Sequence, residues 1–95
     1  MKRPVQWSPD ALDDLEGQIT YIAEENPVAA RRVADRIRAT GDALGEMTTG
    51  RPGRVSGTYE KVVVGLPYVI AYAITRHEGR EVVSILRVIH AARKL

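Results

Sequence analysis

The chain ends in a basic run, Arg87-Val88-Ile89-His90-Ala91-Ala92-Arg93, in which three nitrogen-bearing side chains recur at intervals of three residues. Cations grouped in this way can neutralise phosphate oxygens or stabilise negative charge that develops on them in a transition state. His90 adds an imidazole able to take up or release a proton near neutral pH. Arg54 in a glycine-rich segment and Lys61 at the start of an apolar run are the further bases that could join such a cluster, with Arg51 and Lys94 nearby. Solubilising surface charge is the plainer account of Arg51, Lys61 and Lys94, and a strand-end imidazole bonded to backbone is the plainer account of His90. Arg87 is harder to set aside, because an arginine between Leu86 and Val88 in an apolar strand needs a partner or a water-facing outlet.

Other chemistries find less to work with. The glycine-rich segment lacks the Lys-Ser/Thr ending of a phosphate-binding loop. His77 lies in a turn and His90 has no His, Cys or Asp neighbour at ligand spacing, so neither a metal nor any other cofactor is expected. The acids Asp10, Asp13 and Asp14 stand at the start of a helix, where the helix dipole accounts for them as a solvated face, and a paired-carboxylate site is not expected. Tyr68 and Tyr72 alternate with Ile70 and Ile74, which reads as core.

The 95 residues suffice for one domain, spanning positions 1–95, and include no cysteine, so no disulfide or thiolate site is available. A net charge of +2 does not by itself indicate a nucleic-acid binder. Its distribution is more informative, since Asp10, Asp13, Asp14, Glu16, Glu24 and Glu25 crowd the first quarter while arginines dominate later, which favours one basic working face. Lys2 and Arg3 are not followed by an apolar run and nothing is long enough to span a bilayer, so a cytoplasmic protein without membrane contact is expected.

The elements that must position the bases can be read in order. Val5 and Trp7 share one side of a short strand. Ser8-Pro9-Asp10 supplies a cap, a first-turn proline and an early carboxylate to a helix whose Leu12, Leu15, Ile19 and Ile22 form its apolar stripe. Asn26-Pro27 ends that helix and starts a second, with Ala30, Val33, Ala34, Ile37, Leu44 and Met47 inward and Arg31, Arg32, Arg36 and Arg38 outward. Gly41 marks close packing or a kink. After a flexible connection over 48–58, three apolar β-branched runs separated by Gly65-Leu66-Pro67 and His77-Glu78-Gly79-Arg80 read as an antiparallel meander. The order is strand, helix, helix and three strands (β-α-α-β-β-β), an α+β arrangement with a helical hairpin on an antiparallel sheet. In the last strand Val83, Ile85 and Ile89 have one parity and Leu86 and Val88 the other. A strand apolar on both faces calls for cover on both, and here the second cover is expected from another chain.

Taken together, Trp7-Ser8-Pro9-Asp10-Ala11, Asp14-Leu15, Tyr21-Ile22, Pro27 through Ala30, Gly53-Arg54, Tyr68-Val69-Ile70-Ala71-Tyr72 and Ile85 through Arg93 resemble the RelE/ParE superfamily of toxins from bacterial toxin–antitoxin pairs. The resemblance covers nearly the whole chain. It implies a helical hairpin on an antiparallel sheet and a cognate antitoxin that wraps the toxin in a hetero-oligomer. It also implies one of two targets: messenger RNA cut on the ribosome in the RelE branch, or DNA gyrase in the ParE branch. RelE-type nucleases commonly carry an arginine directly after the aromatic residue that begins the third strand, where this chain has Val69, followed on the same face by Ala71 and Ala73. That departure, with the form of the basic ending, favours a ParE-like gyrase inhibitor without catalysis of its own.

Three readings follow in order: the gyrase inhibitor, contacting its target through Arg54, Arg87, His90 and Arg93; a ribosome-dependent endoribonuclease using Arg54, Lys61, Arg87, His90 and Arg93; and a decayed, non-toxic antitoxin-binding module. Val69 and Leu86 are the candidates for antitoxin contact on the open apolar face.

Overall fold

The computed structural model describes residues 2–91. The elements run β1 (Val5–Trp7), α1 (Pro9–Ala23), α2 (Pro27–Ala43), β2 (Arg51–Pro52), β3 (Tyr59–Val62), β4 (Tyr68–His77) and β5 (Arg80–His90). They build one five-stranded sheet in the order β1-β5-β4-β3-β2, with the helical hairpin packed on it. The α+β class and the order of helices and long strands are as expected. Two features differ. The sheet is mixed, because β1 lies parallel to β5 in the register Val5↔Val83 and Trp7↔Ile85, whereas all other neighbours are antiparallel. A three-residue apolar alternation shows a strand but not its direction. The glycine-rich connection also contributes the two-residue β2, opposite Tyr59 and Glu60.

Local chemistry sets the helix starts. Ser8 Oγ accepts from Ala11 N–H at 3.0 Å, Asn26 Oδ1 accepts from Ala29 N–H at 3.0 Å, and a proline follows each cap. The β4–β5 turn, Glu78-Gly79, holds both residues at positive φ, 52° and 77°, which matches the right-handed twist of the flanking strands.

The core joins Ala11 and Leu15 of α1, Ile37 of α2 and Leu44 to Tyr68, Ile70, Tyr72, Val83, Ile85 and Val88 of the sheet. Complete burial of Ile37 alone contributes about 2–3 kcal/mol. Leu12 and Met47 depart from expectation, at 43% and 68% exposed. Ala11 and Leu15, one turn apart, take the inward line of α1 and leave Leu12 on its flank; Met47 lies past the end of α2, where helical phase no longer orients it. Gly41 is a close-packing glycine in an unbroken helix. A Cβ there would stand 2.5 Å from Trp7 Cζ2 and 2.8 Å from Ile85 Cδ1, and Trp7 Nε1 donates to Asp42 Oδ1 at 3.1 Å beside it.

The two-sided pattern of β5 has a backbone explanation. Ala71 pairs with Arg87 but Tyr72 pairs with Ile85, so Leu86 is an extra residue, a β-bulge. The bulge shifts the alternation by one, which lets Ile85 and Val88 enter the same core despite opposite parity. The bulge accounts for the opposite parities of Ile85 and Val88, while Ile89, paired with Val69, falls on the other face of the sheet.

Candidate functional site

β1 ends at Trp7, so among the described residues no strand lies beside the outer edge of β5 beyond Ile85. The start of α1 takes over. Ser8 N–H donates to Ile85 O at 2.9 Å, and Ser8 Oγ, besides capping the helix, donates to Leu86 O at 3.0 Å. Two turns into the helix Asp14 completes the junction: Oδ2 accepts from Val88 N–H at 2.9 Å and from Arg87 Nε at 2.7 Å, and Oδ1 accepts from Arg87 Nη2 at 3.0 Å. The carboxylate thus satisfies a strand-edge donor and holds the guanidinium in a bidentate fork.

Asp14 has a side chain 17% exposed, and Arg87 one that is 56% exposed. Burial pushes the Asp14 carboxyl up, but the hydrogen bonds from Arg87 and Val88 together with the Arg87 charge outweigh it and hold Asp14 below its ordinary value. The hydrogen bond to Asp14, then its charge, raises Arg87 in turn. Arg87 has both a partner and a water-facing outlet. Asp14 is not a solvated acid explained by the helix dipole, and this is the clearest correction among the acids.

The remaining candidates are spread out. His90 is half-buried and packs edge-to-face with Tyr68, with ring centroids 5.2 Å apart and planes at 84°. It lies three residues beyond Arg87 on β5, about 10 Å along the strand. Lys61 is on β3, opposite Ile70, two strands from β5. Arg54 is exposed in the β2–β3 connection, past the Tyr59 end of β3, whereas His90 pairs with Tyr68 near the Val62 end. Arg93 lies outside the described residues. Among the described residues the bases are therefore not gathered into one cluster; Arg87 and His90 share a strand, while Arg54 and Lys61 stand apart.

Of the two residues expected at an apolar contact face, Val69 is 6% exposed between Val62 and Ile89, and Leu86 is the half-buried bulge residue whose carbonyl Ser8 engages. Exposed apolar surface lies elsewhere. Val62 and Val64, at 50% and 72% exposed, border the turn between β3 and β4. Beside that turn Ala29, Val33 and Leu66 line a groove of about 200 Å³ with Arg32 and Arg36. Arg36 Nη2 donates to the Val64 carbonyl and ties the turn to α2. In the sequence the only sign of this groove was the outward run of arginines on α2.

Comparison with known proteins places this geometry. The fold is that of a chain in the structure of the chromosomal ParDE toxin–antitoxin system from P. aeruginosa, with a TM-score of 0.84 over 94% of this chain and 96% of that one at 18% identity. The chain belongs to the family of ParE toxins of type II toxin–antitoxin systems, parDE, whose profile matches residues 5–95. It is 41% identical over 91 residues to Y4kP of Sinorhizobium fredii, a protein assigned as a toxin, covering 95% of this chain and 90% of that one. It is 38% identical over 89 residues to Toxin RelE2 of Caulobacter vibrioides, covering 94% and 96% respectively.

Proposed function

We propose that this toxin is neutralised by a cognate antitoxin and, when released, inhibits DNA gyrase by binding rather than by catalysis. The observation that carries the reading is the separation of the cationic candidates. A nuclease that uses side-chain acid–base and cationic groups needs them around one phosphate, within hydrogen-bond reach. Here Arg87 is forked onto Asp14 at the outer edge of β5, Lys61 is two strands away, and Arg54 is at the far end of β3. Ala71 and Ala73 supply no charge in the middle of the sheet. A protein target can be held by dispersed contacts, so Arg54, Arg87, His90 and Arg93 are assigned to target binding. The solved relative's ParDE system supports the antitoxin as partner and a hetero-oligomer as the resting state.

The name of the Caulobacter relative, Toxin RelE2, favours a second reading, a ribosome-dependent mRNA endoribonuclease. Controlled expression without antitoxin separates the two when transcript integrity and DNA breakage are followed side by side. Gyrase-dependent DNA damage with intact transcripts is expected; ribosome-dependent transcript cleavage with undamaged DNA would overturn the gyrase reading. An absence of growth inhibition from well-folded protein would instead identify an antitoxin-binding module that has lost toxicity.

A further inference from the structure

Lys2 and Arg3, at the start of the chain, meet Arg76 and Arg80 of the β4–β5 hairpin. Val83 N–H donates to the Pro4 carbonyl at 2.9 Å, which lays these first residues along the outer edge of β5. With Pro4, Gly79 and Glu81, the four bases line a hollow of about 360 Å³. It is remote from the basic ending, because Arg80 and His90 are the first and last residues of β5, roughly 30 Å apart. Glu81 is the single carboxylate among the described lining residues. It stands opposite Arg76 across the hairpin, yet it is engaged from the other side, where Arg3 Nε donates to Glu81 Oε1 at 2.9 Å. Arg76 Nη1 turns to the Gly79 carbonyl at 3.3 Å, and among the described residues neither Arg76 nor Arg80 has an ion-pair partner. Lys2 reaches Glu46 at 3.4 Å, an exposed pair that holds neither side chain firmly. Glu78, at the turn, lies 4.0 Å from His77 and does not line the hollow.

We propose that this hollow binds the phosphate backbone of duplex DNA without regard to base sequence. Among the described residues its lining has no aromatic ring and no apolar side chain besides Pro4. Protein partners are anchored by buried aromatic and aliphatic groups, free nucleotides by a slot for the base, and single strands by stacked rings. Duplex phosphates need none of these, only exposed Lys and Arg side chains that can follow the backbone. Arg76 and Arg80 make the principal contacts, Lys2 joins them by exchanging Glu46 for phosphate, and Glu81 opposes binding. Duplex RNA offers the same chemistry; the choice of DNA rests on the gyrase reading, since DNA is the duplex present at that target.

The test is fluorescence anisotropy of a labelled DNA duplex of arbitrary sequence, titrated with the full chain over a series of salt concentrations. Arg76→Gln combined with Arg80→Gln is compared with Arg31→Gln combined with Arg38→Gln, which removes the same charge from the exposed face of α2. Glu81→Gln is the third variant, and thermal melts check that all three are folded. Loss of two phosphate contacts should reduce the slope of log K against log salt by about 2 and weaken binding by about 10-fold at moderate salt. The α2 pair should change binding by less than about 3-fold. Glu81→Gln should strengthen binding, a gain that misfolding would not imitate. No binding by the natural chain at low salt, equal losses for the two arginine pairs, or no gain from Glu81→Gln would overturn the site. A loss confined to duplex RNA, or to the protein encoded by the adjoining reading frame, would identify a different occupant and refute the proposal. Gyrase is absent from this assay, so its failure leaves the gyrase reading untouched, and failure of that reading leaves any measured DNA contact in place.

Discussion

Asp14 and Arg87, 73 residues apart in the chain, meet as a bidentate ion pair at 2.7 and 3.0 Å, and the same carboxylate takes the Val88 N–H. One acid therefore fastens α1 to the bulged part of β5 and fixes the direction of the arginine at the start of the basic ending. The two partners are not equivalent. Loss of Arg87 removes one half of a pair that is open to water on the arginine side, whereas loss of Asp14 also strands a backbone donor.

Urea denaturation should show that asymmetry. Arg87→Ala is expected to cost about 1 kcal/mol and Asp14→Ala about 2 kcal/mol. In a double-mutant cycle the two losses should combine to less than their sum. Strict additivity would mean that the pair contributes nothing to stability. Target-binding assays on Arg87→Ala must accordingly be made well below its melting temperature.

Acid should weaken the junction. Because Asp14 titrates in the folded chain below its ordinary value of 3.8, folding favours its charged form. The stabilisation is fully present above the unfolded value and is lost as pH falls through the depressed folded one. The stability gap between the natural chain and Asp14→Asn should be constant near neutrality and shrink below about pH 4. A gap that widened in acid would contradict this assignment.

Gly41→Ala tests the Trp7 contact. Alanine favours a helix over glycine by about 1 kcal/mol, but the added methyl would enter the indole ring and the Ile85 side chain. Overpacking should win, for a net loss of about 1–3 kcal/mol. Trp7 is the single tryptophan, so a shift in fluorescence would report the displaced ring directly.

The two target readings make different demands on Lys61, which serves only the nuclease. Growth after induction without antitoxin should be inhibited as strongly by Lys61→Ala as by the natural toxin, whereas His90→Ala and Arg54→Ala should inhibit less. Loss of toxicity in a well-folded Lys61→Ala protein would favour the endoribonuclease.

Much of the fold could be read locally. Ser8-Pro9, Asn26-Pro27 and Glu78-Gly79 are signals whose partners lie within a few residues, and the structure uses each of them as a cap or turn. Gly41 was legible as a mark of either close packing or a kink, and only its contacts with Trp7 and Ile85 decide for packing. Asp14 was not legible, because nothing nearby distinguishes it from Asp13 and its partners come from the other end of the chain. The bulge did leave a trace: Ile85 and Val88 cannot face one core in a regular strand, so their opposite parities implied either a second cover or one extra residue. Choosing between these requires the register against β4. The groove was hidden for a similar reason, since Leu66 joins Val33 only when the turn folds back on α2.

The parallel pairing of β1 with β5 bears on the order in which the protein is made. Val5 lies opposite Val83, far along the chain, and Val83 N–H donates to the Pro4 carbonyl. The helical hairpin can form early, but the sheet edge that anchors it and the Asp14–Arg87 fastening must wait for the final strand. Such long-range closure slows folding. A nascent chain stalled before β5 therefore lacks the finished scaffold, and the sheet closes on the hairpin only once β5 has been made.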